Sequence, residues 1–441
     1  MSTLKVNKLR DTAGSADAIT LDPSGGAVLA GVTTISTARI TTGITTSIQV
    51  GGGVTISESG IEASGIGITC ANINGAAIGG RRNILINGAM QVAQRGTSAS
   101  GSFNSSATYG TADRWRFYSS NTDQAVYSLT LPSEAPTGQG FTRSWKLDIS
   151  TAETTLDSNE LLYFTQILEG QDLQQLRSGT SSAKSMTLSF WIKAYQAGTY
   201  CVSIYKADQT ARGVTFNYTI NASATWEFKT ITIPGDTGGG GIDNDNGHGL
   251  YVHWALASGS NYTSSDSMKN SWANYNSAGF AHGQTVNIAS STDNYWQITG
   301  VQLELGDQAT AFEHRSFGDE LLLCQRYYFD VVQASGTNET FGFTGAVWQE
   351  NNGSIIHVRY PVQMRATPAF GSTNGTQYWR YFAGNDMATA YLDGSGLVNN
   401  ITKKYGGELY AYLSSGTGAV GRTSWLRAND TSAKAYYSAE L

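Results

Sequence analysis

Sugar recognition needs flat aromatic faces for pyranose rings, edged by amides, hydroxyls or carboxylates that bond the ring hydroxyls. Four stretches of this chain offer that combination in polar, turn-rich surroundings. Tyr262 sits in GSNYTSS, Trp272-Ala-Asn-Tyr275 in a polar run, Trp348 ahead of QENNG, and Tyr378-Trp379-Arg380 after STNGTQ. Tyr262, Trp272, Tyr275, Trp348, Tyr378, Trp379 and Arg380 are therefore the candidate ligand contacts. Each could instead brace a loop or meet another chain. Trp191, Trp226 and Trp296 lie inside apolar, strand-like runs and read as core.

Signatures of catalysis are missing. The chain has no GxSxG elbow, no HExxH and no GxxxxGK[ST]. Its one GxGxxG, Gly416 to Gly421, is followed by RTSWLRAND, which does not open a βαβ helix, so a Gly-rich hairpin is the better reading. Asp243-Asn-Asp-Asn-Gly-His begins like a calcium loop, but Gly247 and Trp254 stand where an EF-hand needs an oxygen side chain and a Glu. No metal site is assigned. Asp243 and Asp245 remain candidate donors of an irregular cation site, against the plainer reading of a solvated turn. His248, His253, His282, His314 and His357 show no ligand spacing. A glycan depolymerase would need paired carboxylates in a cleft, and the long regular rungs of a β-helical enzyme are absent. The reading is a non-enzyme without a cofactor.

Composition narrows the partners. The formal net charge is -6 and no basic run concentrates positive charge, which argues against nucleic acid. Cys70, Cys201 and Cys324 are far apart, with no CxxC pair, and Cys201 in TYCVSIY reads as a small buried thiol. No apolar run is long enough to span a bilayer, and no signal peptide is seen. Abundant Gly, frequent Tyr and Trp, and low charge favour strands and turns over surface helices.

The elements that would position these residues are almost all strands. Before Asn83 the chain has no Phe, Trp, Tyr or His. Gly31-Val-Thr-Thr, Gly43-Ile-Thr-Thr and Gly53-Val-Thr-Ile recur there, followed by Gly60-Ile, Gly65-Ile and Gly67-Ile. Short β-segments with too little apolar surface for one chain become stable when neighbouring rungs or chains complete the core. An intertwined β-shaft is expected, with a disordered linker as the competing reading. MSTLKVNKLRD could be a β-arm or a short helix docking on another protein.

From Asn83 onward, strand-like runs come in series: ADRWRFYS, AVYSLTL, SWKLDIS, LLYFTQILE, MTLSFWIKA, TYCVSIY, VTFNYTI, WEFKTITI, LYVHWALA, TVNIAS and YWQITGVQLEL. Two packed antiparallel sheets are the expected outcome. Asp172-Leu-Gln-Gln-Leu suggests a short helix. In the last run, Gly300 is placed where a bulge could reset the alternation. Ser316 with Asp319 reads as a capping box, opening a short amphipathic helix with Leu321, Cys324 and Tyr328 on one face. Beyond it, FGFTGAVWQ, SIIHVRYPVQM, QYWRYFAG, ELYAYLSS and SWLRA read as strands, with Pro361 and Pro368 placing MRATP at an edge or loop.

The run GVQLELGDQATAFEHRSFGDELLLCQRYY resembles a junction repeated in tail-fibre and other virion structural proteins of bacteriophages, particularly marine ones. NILINGAMQVAQRGTS from Asn83, YPVQMRATPAF from Tyr360 and the closing YYSAEL agree with it. The chain departs from the pattern at Met90 and Ala93, where the family often carries aromatics. More loosely, SFWIKA, WEFKTITIP and TGVQLELG resemble jelly-roll carbohydrate-binding modules. The resemblance implies a homotrimer in the virion, tied to other tail or virion proteins by its N-terminal part and meeting a host-surface glycan or protein receptor.

The expected architecture is all-β. Residues 1–82 form a virion-attachment and shaft segment, 83–317 a jelly-roll-like β-sandwich, 318–329 a short helical junction, and 330–441 a small C-terminal β-sandwich at the distal tip. The expected function is a structural tail-fibre adhesin that does not enter a membrane. A structural connector or head-attached fibre without receptor contact is the alternative, and a depolymerase a third.

Overall fold

Alternating side chains give this chain its strands, and the structure, a computed structural model, is all-β, with short helical turns and one α-helix among the described residues. It describes a set of short strands before residue 81, then residues 81–441 less 103–106, 122–124, 334–342, 351–352, 374–377, 384–385, 393–396, 413–419, 429 and 431. Two units are separable, Met1–Cys70 and Ala71–Leu441.

In the first unit, Lys8–Arg10, Asp17–Leu21 and Ala27–Leu29 form one antiparallel sheet, and Ser47–Val50, Val54–Ser57 and Gly60–Ala63 another. The Gly53-Val-Thr-Ile repeat is thus a strand. Within MSTLKVNKLRD the described part is also a strand. The repeats at Gly31, Gly43, Gly65 and Gly67 lie outside the described residues.

The second unit is built on two stacked sheets. Its strands are β1 (Ser98–Ser102), β2 (Ala107–Thr108), β3 (Arg116–Ser120), β4 (Val126–Thr130), β5 (Trp145–Thr151), β6 (Leu161–Glu169) and β7 (Met186–Ala194). They continue with β8 (Gly198–Lys206), β9 (Arg212–Ile220), β10 (Glu227–Ile233), β11 (His248–Ser258), β12 (Ala273–Asn274) and β13 (Tyr295–Leu305). One sheet runs β2-β3-β6-β11-β8-β9-β12, the other β10-β7-β13-β5-β4-β1. Their inner faces enclose a core in which Trp115, Trp145, Trp254 and Trp296 gather around Phe164, with centroid distances of 4.3 to 5.9 Å to that ring. Aromatic rings bury large areas and prefer such tilted and offset contacts.

Gly300 performs the reset expected of it. On β13, Trp296 and Ile298 point into the core, and so do Val301 and Leu303, so the inward parity changes between them. Pairing with β7 shifts between Ser189 and Trp191, and Gly300 adopts φ +62, a left-handed backbone that side chains rarely tolerate.

Trp296 is core, as expected, but Trp191 and Trp226 are not. Trp191 shares its strand with Leu188, Phe190 and Ile192, which take the inward parity, and so it lies half-buried on the outer face against Phe228, 5.3 Å away. Trp226 is half-buried just before β10.

Asp172-Leu-Gln-Gln-Leu falls within a 3-10 helix, Gly170–Leu176. The α-helix α1 covers Phe317–Gln325, and the Ser316 hydroxyl caps it by accepting from the Asp319 backbone N–H at 3.2 Å. Leu321 and Cys324 face inward on it. Tyr328, expected on the same face, instead opens the next strand; both it and Tyr327 are buried, and Tyr327 is the ring packed with Cys324.

After α1, Tyr328–Gln333, Lys434–Ser438 and Ala369–Ser372 form a three-stranded sheet. A seven-stranded sheet contains Phe343–Glu350, Gly353–Arg359, Trp379–Ala383, Asp386–Leu392, Leu397–Lys403, Gly406–Tyr412 and Thr423–Ala428. The MRATP segment lies between strands, as its prolines require. Most of the Gly416 to Gly421 run is outside the described residues. Cys201 and Cys324 are free and buried, and burial pushes the Cys201 thiol up to about 12. Among the described residues, no helix is long and apolar enough to cross a membrane.

Candidate functional site

The outer face of the β2-β3-β6-β11-β8-β9-β12 sheet is divided by two covers. At one end Ile167 packs with Ile86, Val92, Cys324, Tyr327 and Leu441. At the other, Leu161, Cys201 and Ala255 lie with Phe280 and Ala281 of the loop that follows β11. Between the covers runs a strip of aromatic rings. Tyr118 stacks on Tyr163 at 4.7 Å, Tyr163 meets His253 at 4.7 Å, and His253 stacks on Tyr251 at 5.5 Å. Tyr251 then meets Tyr205 at 5.2 Å, and Tyr205 meets Tyr275 at 4.4 Å. Ring to ring, the strip crosses about four strand spacings, roughly 19 Å, a span for an oligosaccharide rather than a single sugar.

A row of polar side chains crosses the strands beside these rings. Arg116 pairs in register with Thr165, Thr165 with His253, His253 with Ser203, and Ser203 with Thr215. Each sits on the outward parity of its strand, since Phe117, Phe164, Val202, Val214 and Trp254 take the inward one. Thr165 and Ser203 are fully buried and His253 is 5% exposed. Thr165 Oγ1, Ser203 Oγ, His253 Nδ1 and Arg116 Nε have no hydrogen-bond partner among the described residues. These groups lie beneath the aromatic strip, so the strip rests on a polar layer rather than an apolar one.

Electrostatics keep the histidine neutral. Burial first, and the Arg116 charge second, push His253 down to about 3. Burial raises the phenol of Tyr163, to which Arg116 donates, and lifts that of Tyr275 up to about 12. The strip and row therefore present neutral phenols, hydroxyls, the His253 imidazole and one guanidinium, with the His248 ring on the Tyr251 hydroxyl and the Asp208 carboxylate near enough to raise that phenol. Neither the strip nor the row includes a carboxylate. Glu169, at the covered end of β6, is buried and held by Arg326 at 2.6 and 2.7 Å and by the Tyr327 hydroxyl.

The residues singled out from sequence do not converge. Tyr275 stands at the end of the strip, 37% exposed, and Tyr262 packs half-buried beside Phe280 and Tyr163. Trp272 is half-buried against the core, its indole donating to Pro234 O at 2.7 Å. Trp348 and Trp379 are 2% and 1% exposed, in the core of the C-terminal sheets. That corrects their reading as ligand contacts. Trp348 shares the inward parity with Ala346, and the Trp379 indole donates to Thr373 O at 3.1 Å. Tyr378 packs half-buried against the same core, and Arg380 is half-buried opposite Arg427. The large aromatics exposed in this region are Tyr405, Tyr412 and Trp425, which alternation alone could have separated from Leu426 and Ala411. Trp379→Ala is expected to destabilise the C-terminal sheets by about 3–5 kcal/mol, as a large core deletion. Chemical denaturation should show this loss without any change in ligand affinity.

Asp243 Oδ1 accepts from Gln209, and Asp245 Oδ1 accepts from Gly247 N–H at 2.8 Å, as in a solvated turn. Among the described residues, no cluster of His, Cys, Asp and Glu is arranged to hold a metal. His314, expected to contact Glu313 or another chain, lies against Phe141 and Phe312 at 5.4 and 4.9 Å. These rings line a second concavity of about 470 Å³ with Trp191 and Phe228.

The four stretches that resemble phage virion proteins meet one another at the covered end of this face, where Tyr251 packs against them. Asn83 Nδ2 donates to Val301 O at 3.0 Å, and Gln94 Nε2 to Tyr328 O at 2.8 Å. Arg365 donates to Ala439 O and Glu440 O at 2.7 and 2.9 Å, and Arg326 to Gln363 O at 3.3 Å. Arg95 and Arg114 both pair with Glu440. Their polar groups are spent on holding the junction, which is why these motifs carry no ligand site.

No protein-family model and no curated protein matches the chain. Among solved structures it is similar to the enzymatically active domain of tailspike protein 4 of bacteriophage CBA120, at 17% identity and TM-score 0.27, over 51% of this chain and 21% of that one. The chain thus spans about a fifth of that tailspike. It is also similar to a putative sugar binding protein from Bacteroides thetaiotaomicron, at 14% identity and TM-score 0.27, over 51% of this chain and 100% of that one. A family 11 carbohydrate-binding module of a cellulosomal cellulase from Clostridium thermocellum matches at 14% identity and TM-score 0.24, over 49% of this chain and 98% of that one.

Proposed function

We propose that the chain is a non-enzymatic glycan-binding protein whose ligand lies along the tyrosine strip. The observation that carries this reading is the pairing of the Tyr118–Tyr163–His253–Tyr251–Tyr205–Tyr275 strip with the orphan polar row Arg116, Thr165, His253 and Ser203. Rings supply apolar faces for the sugar, and the phenol hydroxyls and the half-buried Arg116 guanidinium supply directional bonds. Binding without cleavage fits a strip and row that include no carboxylate pair.

The setting we propose is a bacteriophage virion fibre, on the resemblance of the four junction motifs. Residues 1–82 serve as attachment and shaft, 83–317 as the glycan-binding sandwich, and 318–441 as the junction and distal domain. Three copies on one fibre would turn weak sites into firm attachment to the host surface through effective concentration. A connector without receptor contact is the competing role, and loss of every glycan contact would favour it.

Truncating central rings tests the reading. Tyr163→Ala and Tyr251→Ala are each expected to weaken binding to an immobilised glycan at least tenfold, about 1.4 kcal/mol, as for central aromatic contacts. Glycan-array screening of the wild type identifies the ligand, and calorimetry on the variants measures the loss. Unchanged affinity in both folded variants would remove the strip from the binding site.

A further inference from the structure

Resting on that reading, the charge balance of the face narrows the ligand. We infer that the glycan bound along the strip is anionic, and that Arg116 receives its charged group.

Five buried or half-buried arginines of this unit are matched to carboxylates, and Arg365 is satisfied instead by the Asn246, Ala439 and Glu440 carbonyls. Arg95 pairs with Asp113 and Glu440, Arg114 with Glu440, Arg212 with Asp236, Arg315 with Glu313 and Glu320, and Arg326 with Glu169. Arg116 has no carboxylate within ion-pair distance among the described residues. It donates to the Tyr163 hydroxyl, its guanidinium carbon lies 5.9 Å from the Tyr118 ring centroid, and its buried Nε is without a partner. Its charge reaches His253, Tyr163 and Tyr251, so it acts on the strip itself. A half-buried guanidinium in that position lacks the compensation that buried cations normally find.

The ligand can supply it. A guanidinium presents a planar fork of N–H donors that matches carboxylate, sulfate or phosphate oxygens, and such charge-assisted pairs are short and strong. Beside it, the half-buried Tyr163, Tyr251 and Tyr205 can offer ring faces and phenol hydroxyls to the sugar. The chain's net charge of -6 opposes general attraction to polyanions, so selection for an acidic sugar has to come from a local group.

The test compares matched probes on the full chain: polygalacturonate against its methyl ester, and dextran sulfate against dextran, beside an array of acidic and neutral oligosaccharides. At least a tenfold preference for the charged member of a pair is expected, and the pair that shows it identifies the oxyanion. In Arg116→Gln the preference should fall to near unity, while Arg116→Lys, which keeps the charge but not the fork, should retain part of it. Equal binding of charged and neutral partners by the wild type overturns the inference and leaves glycan binding intact. A preference that survives in folded Arg116→Gln overturns it as well. Retention of no glycan, charged or neutral, overturns the underlying reading and this inference together.

Discussion

Glu440→Ala is expected to lower the unfolding free energy by about 3–5 kcal/mol, the cost of leaving a buried charge without its partner. Arg114 is 1% exposed, with its guanidinium 3.4 Å above the Tyr327 ring and one N–H on Ile167 O at 2.6 Å. Burial alone would disfavour its charge, yet the Glu440 carboxylate holds it well above the usual arginine range. The same carboxylate also takes Arg95 at 2.9 Å. Removing it strands Arg114 in a region where Leu441, Tyr327 and Cys324 exclude water, and leaves Arg95 with Asp113 alone at 3.4 Å. Thermal unfolding should shift downward by on the order of ten degrees for a unit of this size. Glu440→Gln, which keeps shape and an acceptor but not the charge, should fall between. A shift within a degree for both variants would show that the junction is held by apolar packing alone.

The second large effect concerns pH. His253 titrates near 6.5 when unfolded and near 3 in the fold. The unfolded chain therefore takes up a proton that the folded chain refuses. Stability is level above about pH 6.5 and falls as the pH drops toward 3, by about 1.4 kcal/mol per unit. Asp113 and Asp330 run the other way, because burial raises each to about 6 and the fold keeps their protons between about pH 4 and 6. Wild type and His253→Gln must therefore be compared at each pH. Their difference in urea midpoint is expected to open steadily below pH 6.5 in favour of the variant. Parallel profiles would mean that the folded chain accepts the proton, with the imidazole reaching solvent or an acceptor.

How much of this was legible depended on whether information was local. Gly300, Ser316 with Asp319, and the Asp172 helix were readable because bulges, caps and short helices are fixed by a few neighbouring residues. Trp191 was misjudged because its run was apolar on both parities, so hydrophobicity could not say which face met the other sheet. Trp348 and Trp379 were misjudged for the opposite reason. Their polar neighbours suggested loops, whereas both rings close the core beneath the C-terminal sheet.

The sequence by itself determined the all-β class, the strand series apart from TVNIAS, which ends in a 3-10 turn at Ile288–Ser290, the capped helix and the motifs that resemble phage virion proteins. Each of these is encoded in periodicity or in short spacing. Only the tertiary structure decided where a ligand could lie. Tyr118, Tyr163, Tyr205 and Tyr251 come from separate strands whose order in the sheet is not their order in the chain. Their rings touch because long-range pairing sets the register, and that same pairing lines Arg116, Thr165, His253 and Ser203 into one row. Side-chain parity decides which residues face outward, but strand order decides which of them become neighbours.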